Sequence, residues 1–521
     1  MCKPKISLFF GAGAECSYGL PSGGKFALDI FKMDPTEDKK LFRSKRDIIN
    51  RRSTYAKYWL PENYWSKPIS SFGKSHYEAL VRGSLENKRI RILEYINNFD
   101  NSISNIVNEY QDLGIDLTDL FEQVIGMPIG QEVFTHVIRL SELLGENNGI
   151  FSSEYFSAFL KVLERQDIEH NFKKNIQKIV RAILELLIGS CGEDLVHRLN
   201  DGIFEMSPDT IDIFDDLGTI FSLDYKGTGI SGLEFIIDAE PIAIDSNSIA
   251  EDVIIEFGRR ILEDIFSQAL DYQSLIDSNW RYIYNPKTDW AKFSKIVIFL
   301  YTVKRYIKEV AEKYSDRCIN GPGYYHDLIP LSEHFDLKAI GTTNYNTFIK
   351  EVTGKDVYFL NGSVDDLYDP YLNSIAKIED EAENDHLKVP FLFTQSGIKP
   401  LTSVKMSKRY VELYDELMDS DIICVCGYGF NSDDGHINGM FRSLIEDEGR
   451  SLYILHYSRT GRENIESIKR QYQEKLRLET SKGLNIILVN DERQSFRHNM
   501  DYWYSALSDQ RTLDLANDSE G

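Results

Sequence analysis

The chain opens on an apolar run, ISLFF at Ile6–Phe10, that breaks directly into Gly11-Ala12-Gly13. A short run of this kind, closed by glycine, reads as a strand buried on both faces. Comparable runs return in the last third of the chain: Leu337–Thr342, Val357–Leu360, Ile422–Gly427, Leu452–His456 and Leu484–Val489. Helical spacing fills the gaps between the later ones, at Val404–Met418, His436–Ile445 and Glu463–Leu478. This alternation predicts an α/β fold, a doubly wound parallel sheet of six strands covered on both faces.

The middle of the chain has a different rhythm. Lys25–Met33 reads as a short helix, and 34–64 as a charged, aromatic surface connection with some helix. From about 75 to 317 the pattern is mostly helical. Glu169–Gly189 places Ile176, Ile179, Val180, Ile183, Leu186 and Leu187 on one face. Phe151–Arg165, Ser248–Tyr272 and Ala291–Tyr314 have similar spacing, whereas Gly218–Ser246 reads as a small hairpin or loop and acidic Ile375–His386 as a solvated loop. The expected organisation is a discontinuous sheet domain, 1–33 and 336–521, with a large helical insertion at 34–335 that serves regulation or assembly.

At 521 residues the chain suits more than one domain. Its net charge of −23 argues against direct nucleic-acid binding. No apolar stretch reaches the ~18 residues of a membrane span, and the N-terminal run is too short for a signal-peptide core, so a cytoplasmic protein is expected. Six scattered cysteines form no C-x-x-C pair, and Cys424 and Cys426 read as core residues; no metal is expected.

The candidate chemistry lies where the predicted strands end. Open α/β sheets bind ligands at that edge. Gly11 and Gly13 can bring backbone N–H groups close to a phosphate, although Cys16 stands where G-x-G-x-x-G needs its third glycine. Gly341–Asn346 (GTTNYN) offers short polar groups at a turn, and the same residues also suit a plain Asx turn. A second strand ends in Asn361-Gly362-Ser363, and a third in CGYGFNSDDGHIN at Cys426–Asn438. Asp433 and Asp434 suit a ligand site or an ordinary helix start, and His456 a site or a packed core.

Taken jointly, these strand ends resemble the sirtuin family. Gly11-Ala12-Gly13 with Gly19-Leu20-Pro21 is similar to its GAG…G-I/L-P motif. Gly341–Asn346 resembles T-x-N-x-D, Phe359–Ser363 (FLNGS) resembles L-H-G-S, and Cys426–Asn438 resembles the G-Y-S-x-x-D-x-H-I-N segment of the bacterial sirtuin-like branch. Pro390–Pro400 resembles the segment before that motif. The likeness covers 5–31 and 337–457, and the helical region has no counterpart.

The resemblance implies NAD as substrate. It implies that Gly11, Ala12 and Gly13 meet phosphates, and that Thr343 and Asn344 face the reacting ribose with Asn346 beside them. Gly427 and Tyr428 would lie along the adenosine half, with Pro21, Asp433 and His456 as further cofactor positions. Asn344 and Asn361 are the implied catalytic pair. The implied activity is NAD+ glycohydrolysis by a gated effector of anti-phage defence. The implied partners are further copies of the chain, or an ATPase, an Argonaute-like protein or a nucleotide-sensing protein from the same operon.

Departures from the family pattern shape that expectation. The zinc cysteines are absent, which argues against protein deacylation. Pro21-Ser-Gly-Gly replaces P-D-F-R, Glu15 stands where many members have serine, and Asn346 where aspartate is usual. Asn361 stands where the base histidine belongs, and an amide cannot take a proton at neutral pH. His326, His334 and His436 are candidate substitutes. The alternative expectation is a degenerate subunit that binds NAD or a related nucleotide without cutting it. A dehydrogenase is disfavoured, since nothing resembles a second, hydride-transfer domain.

Overall fold

A computed structural model of the chain describes residues 3–21, 23–130, 147–192, 210–212, 222–224, 230–238, 241–270, 280–377, 385–392, 403–431, 434–497 and 499–508. Two compact units emerge. One comprises 1–22, 33–72 and 273–521, the other 23–32 and 73–272.

The first unit carries the strands β1 (Lys5–Phe10), β2 (Asp336–Thr342), β3 (Tyr358–Phe359), β4 (Gly362–Asp369), β5 (Ser374–Lys377), β6 (Val389–Leu392), β7 (Ile422–Cys426), β8 (Leu452–Tyr457) and β9 (Leu484–Val489). Six of them form one parallel sheet in the order β9-β8-β7-β1-β2-β3. Counted along the chain within that sheet, the order is 3-2-1-4-5-6, the Rossmann-like arrangement. The N-terminal strand is central, paired with β2 on one side and β7 on the other. The strand order reverses between β1 and β7, which makes their C-terminal ends the topological switch point.

Both faces of β1 are buried, as in a central parallel strand, and the one polar side chain there, Ser7, bonds Ser420 at 2.7 Å. Ile6, Leu8 and Phe10 pack with Ile422, Cys424, Cys426 and Trp503 on one face. Phe9 packs with Ile423, Val425 and Phe441 on the other. The elements used below are α1 (Ala12–Cys16), α2 (Thr36–Asp47), α3 (Trp290–Asn320), α4 (Leu328–His334), α5 (Phe348–Thr353), α6 (Val404–Met418), α7 (Gly435–Glu446) and α8 (Ile465–Leu476). Helices α4 and α5 contribute to the first cluster, and α6, α7 and α8 to the second, so the sheet is wound on both sides.

Two segments differ from the sequence expectation. Ser374–Lys377, overlapping the start of the Ile375–His386 stretch read as a solvated loop, is a strand of a three-stranded antiparallel sheet, β5-β4-β6, and 378–384 lie outside the described residues. The polar β4 is buried with side-chain partners for its carboxylates. Lys377 and Arg409 reach Asp366 at 2.6 and 2.8 Å, and His386 reaches Asp369 at 2.7 Å. The connection at 34–64 is also more ordered than expected. It forms α2, whose Phe42 is fully buried against Trp290 and Phe293 of α3.

The second unit is mainly helical, with long helices at Lys74–Asn97, His170–Cys191 and Ala250–Ala269. The stripe on Glu169–Gly189 behaves as its spacing predicts: Ile176, Ile179, Val180, Ile183, Leu186 and Leu187 are all completely buried. In the region read as a hairpin or loop, Ser222–Asp224 pairs antiparallel with Thr210–Asp212, and Ile230–Asp238 is helical. Among the described residues no helix is long and apolar enough to cross a membrane.

Candidate active site at the carboxyl edge of the sheet

Strand β1 runs straight into α1, and the turn between them is closed by the loop after β7. Gly11 and Gly13 donate their N–H groups to the carbonyls of Cys426 and Gly427, at 3.0 and 2.8 Å. Side chains would not fit between these turns. A Cβ on Gly11 would lie 2.6 Å from Tyr428 Cα, and one on Gly13 2.9 Å from Gly427 Cα. Gly427 itself has φ +66°, a left-handed conformation, and lies against the Ala14 backbone. The glycines thus join two strand ends at the switch point, and two N–H groups expected at a phosphate are spent on that join. Cys424 and Cys426 lie in the core, as their pattern predicts.

Helix α1 stops after five residues. The late glycine sets this end: Gly19 has φ +89° and closes onto Cys16 O at 2.9 Å, with the Tyr314 ring where a side chain would go. Pro21 follows this turn. The short helix presents Glu15 inward, where it is 6% exposed. Its carboxylate accepts hydrogen bonds from Tyr325 Oη and Asn346 Nδ2, each at 2.6 Å. Asn344 Nδ2 donates to Gly11 O at 3.1 Å and to Tyr325 Oη at 3.2 Å. Residues from β1–α1, the loop before α4 and the turn after β2 therefore meet in one buried polar cluster.

The turn after β2 is itself fastened. Thr343 N–H donates to Phe10 O at 3.1 Å, and Thr342 Oγ1 accepts from Asn344 N–H at 3.0 Å. Asn346 Oδ1 accepts from Phe348 N–H at 3.2 Å, an Asx turn that starts α5. Asn361, 5% exposed, lies between β3 and β4 beside this turn. Leu360 N–H reaches Thr342 O and Val364 N–H reaches Tyr345 O, each at 2.9 Å. A cavity of about 290 Å³ borders Asn346, lined by the apolar Ile307, Ala311, Phe348 and Val364 and by the charged Lys308, Glu312, Glu351 and Asp365.

Burial pushes the Glu15 carboxyl up to about 7, against the opposing pull of its hydrogen bonds from Tyr325, Asn346 and Asn344. Among the described residues no cation contributes to its environment. Burial together with the adjacent Glu15 charge holds the Tyr325 phenol well above its ordinary value. An unpaired buried carboxylate of this kind is costly, and such groups concentrate at functional sites.

Other candidates lie apart from this cluster. The Tyr428 ring packs on Phe9 and Phe430, and its hydroxyl donates to Asn438 Oδ1 at 3.1 Å. His456 bonds Tyr472 of α8 at 2.9 Å, and burial lowers its basicity. Asp433 lies outside the described residues. Of the substitute bases, His326 bonds Tyr18 and Ile319, His436 bonds Tyr410, and His334 stacks on Tyr504. Glu15 and Tyr325 were not singled out as functional from sequence. The sequence marks Glu15 only as a departure from the serine of the family pattern, and nothing marks Tyr325. Among the described residues no group of histidine, cysteine and carboxylate side chains could hold a metal. The chain matches no protein-family model, no curated protein and no solved structure.

Proposed function

We propose that the chain is a sirtuin-like NAD+ glycohydrolase, releasing nicotinamide and ADP-ribose, whose activity is gated in anti-phage defence. One observation carries this reading: a buried cluster of Asn344, Asn346, Glu15 and Tyr325 at the carboxyl edge of a 3-2-1-4-5-6 sheet, beside its switch point. That edge is where this sheet order binds dinucleotides. The adjoining cavity, about 290 Å³, is at the small end of ligand sites and meets this cluster at Asn346.

The chemistry asks little of a strong base. Nicotinamide leaves as a neutral molecule from a cationic ring, and the sugar passes through an oxocarbenium-like state. Amide oxygens and a nearby carboxylate stabilise developing positive charge in a water-poor site. Incubation of the purified chain with NAD, together with the products of neighbouring genes, tests the reading by nicotinamide release.

A second reading is a degenerate NAD-binding subunit. It is favoured by Asn361 in the place of the family histidine and by the Gly13–Gly427 bond across the phosphate turn. Under that reading the wild type releases no nicotinamide, and Asn361→His creates activity.

A further inference from the structure

A second cavity, of about 540 Å³, opens at the amino edge of the sheet, the edge away from the polar cluster. Its lining takes in the start of β2, at Asp336 and Leu337. The N-terminal segment meets that start, because Asp336 N–H donates to Pro4 O at 2.8 Å. Lys3 is thereby brought to α4, where its Nζ donates to Ser332 O at 2.8 Å. Helix α5 ends in the same lining at Thr353, whose Oγ1 accepts from Lys355 N–H at 3.3 Å. Two lysines from distant parts of the chain thus border one cavity.

The rest of the lining is largely apolar. Leu328 and Phe335 belong to the core beneath, and Leu337 packs against it. Ile329 adds to this surface and is still 65% exposed, so the cavity offers apolar area that the chain leaves uncovered. Lys3 is bonded to a carbonyl, and among the described residues neither Lys3 nor Lys355 is paired with a carboxylate. Asp336 is the one acidic residue of the lining. Its charge also acts on Lys5, whose ammonium is stabilised first by Asp419 and then by Asp421 and Asp336. The cavity therefore carries an excess of positive charge in a chain of net charge −23. The 290 Å³ cavity has the opposite balance, with Glu312, Glu351 and Asp365 against Lys308.

We propose that the amino-edge cavity binds a small amphipathic anion, an apolar body ended by a carboxylate or a phosphate. The body lies against Leu328, Ile329, Phe335 and Leu337, and the head meets Lys3 and Lys355. The volume is within the ~300–1,000 Å³ of small-molecule sites. The proposal does not depend on the NAD reading, since β2 separates this cavity from the turn that carries Asn344 and Asn346.

Octanoate is the probe. Octyl phosphate presents the other anionic head on the same body, octanol a neutral head and octylamine a cationic one. Binding to the full chain is read by ligand-observed NMR titration. The wild type should bind octanoate with a Kd near about 1 mM, which about ten heavy atoms of ordinary ligand efficiency supply. Octanol and octylamine should bind at least about fivefold more weakly. Lys3→Ala and Lys355→Ala should each weaken octanoate by about threefold to fivefold, as exposed ion pairs do, and the double variant by about tenfold or more. Ile329→Asp sets a carboxylate at an exposed position of the lining and should remove binding. All these variants should melt near the wild type. The tighter of octanoate and octyl phosphate names the natural head group. Three results overturn the proposal: neither anion binding the wild type below about 10 mM, octylamine or octanol binding as tightly as the anions, or octanoate affinity unchanged in the double lysine variant or in Ile329→Asp.

Discussion

Glu15→Gln tests the buried carboxylate without reference to any ligand. The carboxyl moves from an ordinary value of 4.5 to about 7 on folding, because burial penalises its charge. A value raised on folding means that the protonated form is favoured in the native state. The associated stability is therefore fully present below pH 4.5 and is lost as the pH rises through 7. At about 1.4 kcal/mol per pKa unit, the loss between pH 5 and pH 8 is about 2–3 kcal/mol. Glutamine has no charge to bury and no proton to lose. Its fixed cost, a mismatched contact with Asn346, is the same at both pH values and cancels. Relative to wild type, the variant should gain about 2–3 kcal/mol between pH 5 and pH 8, or roughly 2–5 °C in melting temperature for a unit of this size. Tryptophan fluorescence suits the assay, since Trp59, Trp65, Trp280, Trp290 and Trp503 all belong to the unit that carries the sheet. A gain under about 0.5 kcal/mol, or one of opposite sign, would refute the reasoning, since the expected change is several times larger.

Three further outcomes follow from the geometry. Asn344→Ala should lower nicotinamide release by about 10²–10³-fold while circular dichroism and melting still report a folded chain; retained turnover takes Asn344 out of the site. Gly427→Ala should destabilise by roughly 3 kcal/mol or more, through its left-handed φ and a Cβ that would lie 2.0 Å from Ala14 N. Gly435→Ala, with open space around it, should melt near the wild type, and equal melting of the two variants would contradict the close join of the two turns. Arg493→Ala should cost about 3–5 kcal/mol, because it strands the buried Asp327 carboxylate that Arg493 and Trp503 hold at 2.7 and 2.8 Å. Urea unfolding measures that loss, and a change below about 1 kcal/mol would show the pair to be dispensable.

The parallel sheet was legible because its strands are buried on both faces and so read as apolar runs. The same class of run assigns β1 to one sheet with strands more than 300 residues away, while its pairing with β2 and β7 comes from the fold. The β4–β5–β6 sheet was not legible. Asp366 and Asp369 look like solvent-facing residues until Lys377, Arg409 and His386 arrive from outside the strand. The site divides in the same way. Asn344 and Asn346 stand out as short polar residues at a strand end. Glu15 gives no such sign, because its partners Tyr325 and Asn346 lie 310 and 331 positions along the chain. A carboxylate reads as exposed unless its burial is known, and burial is a property of the whole fold.

Nicotinamide release from NAD by the purified wild type, with the products of neighbouring genes added and beside Asn344→Ala, tests the proposed activity most directly. A sirtuin-like glycohydrolase predicts nicotinamide and ADP-ribose in equal amounts from the wild type and almost none from the variant. NAD left intact under every condition, or equal release by both proteins, would contradict it.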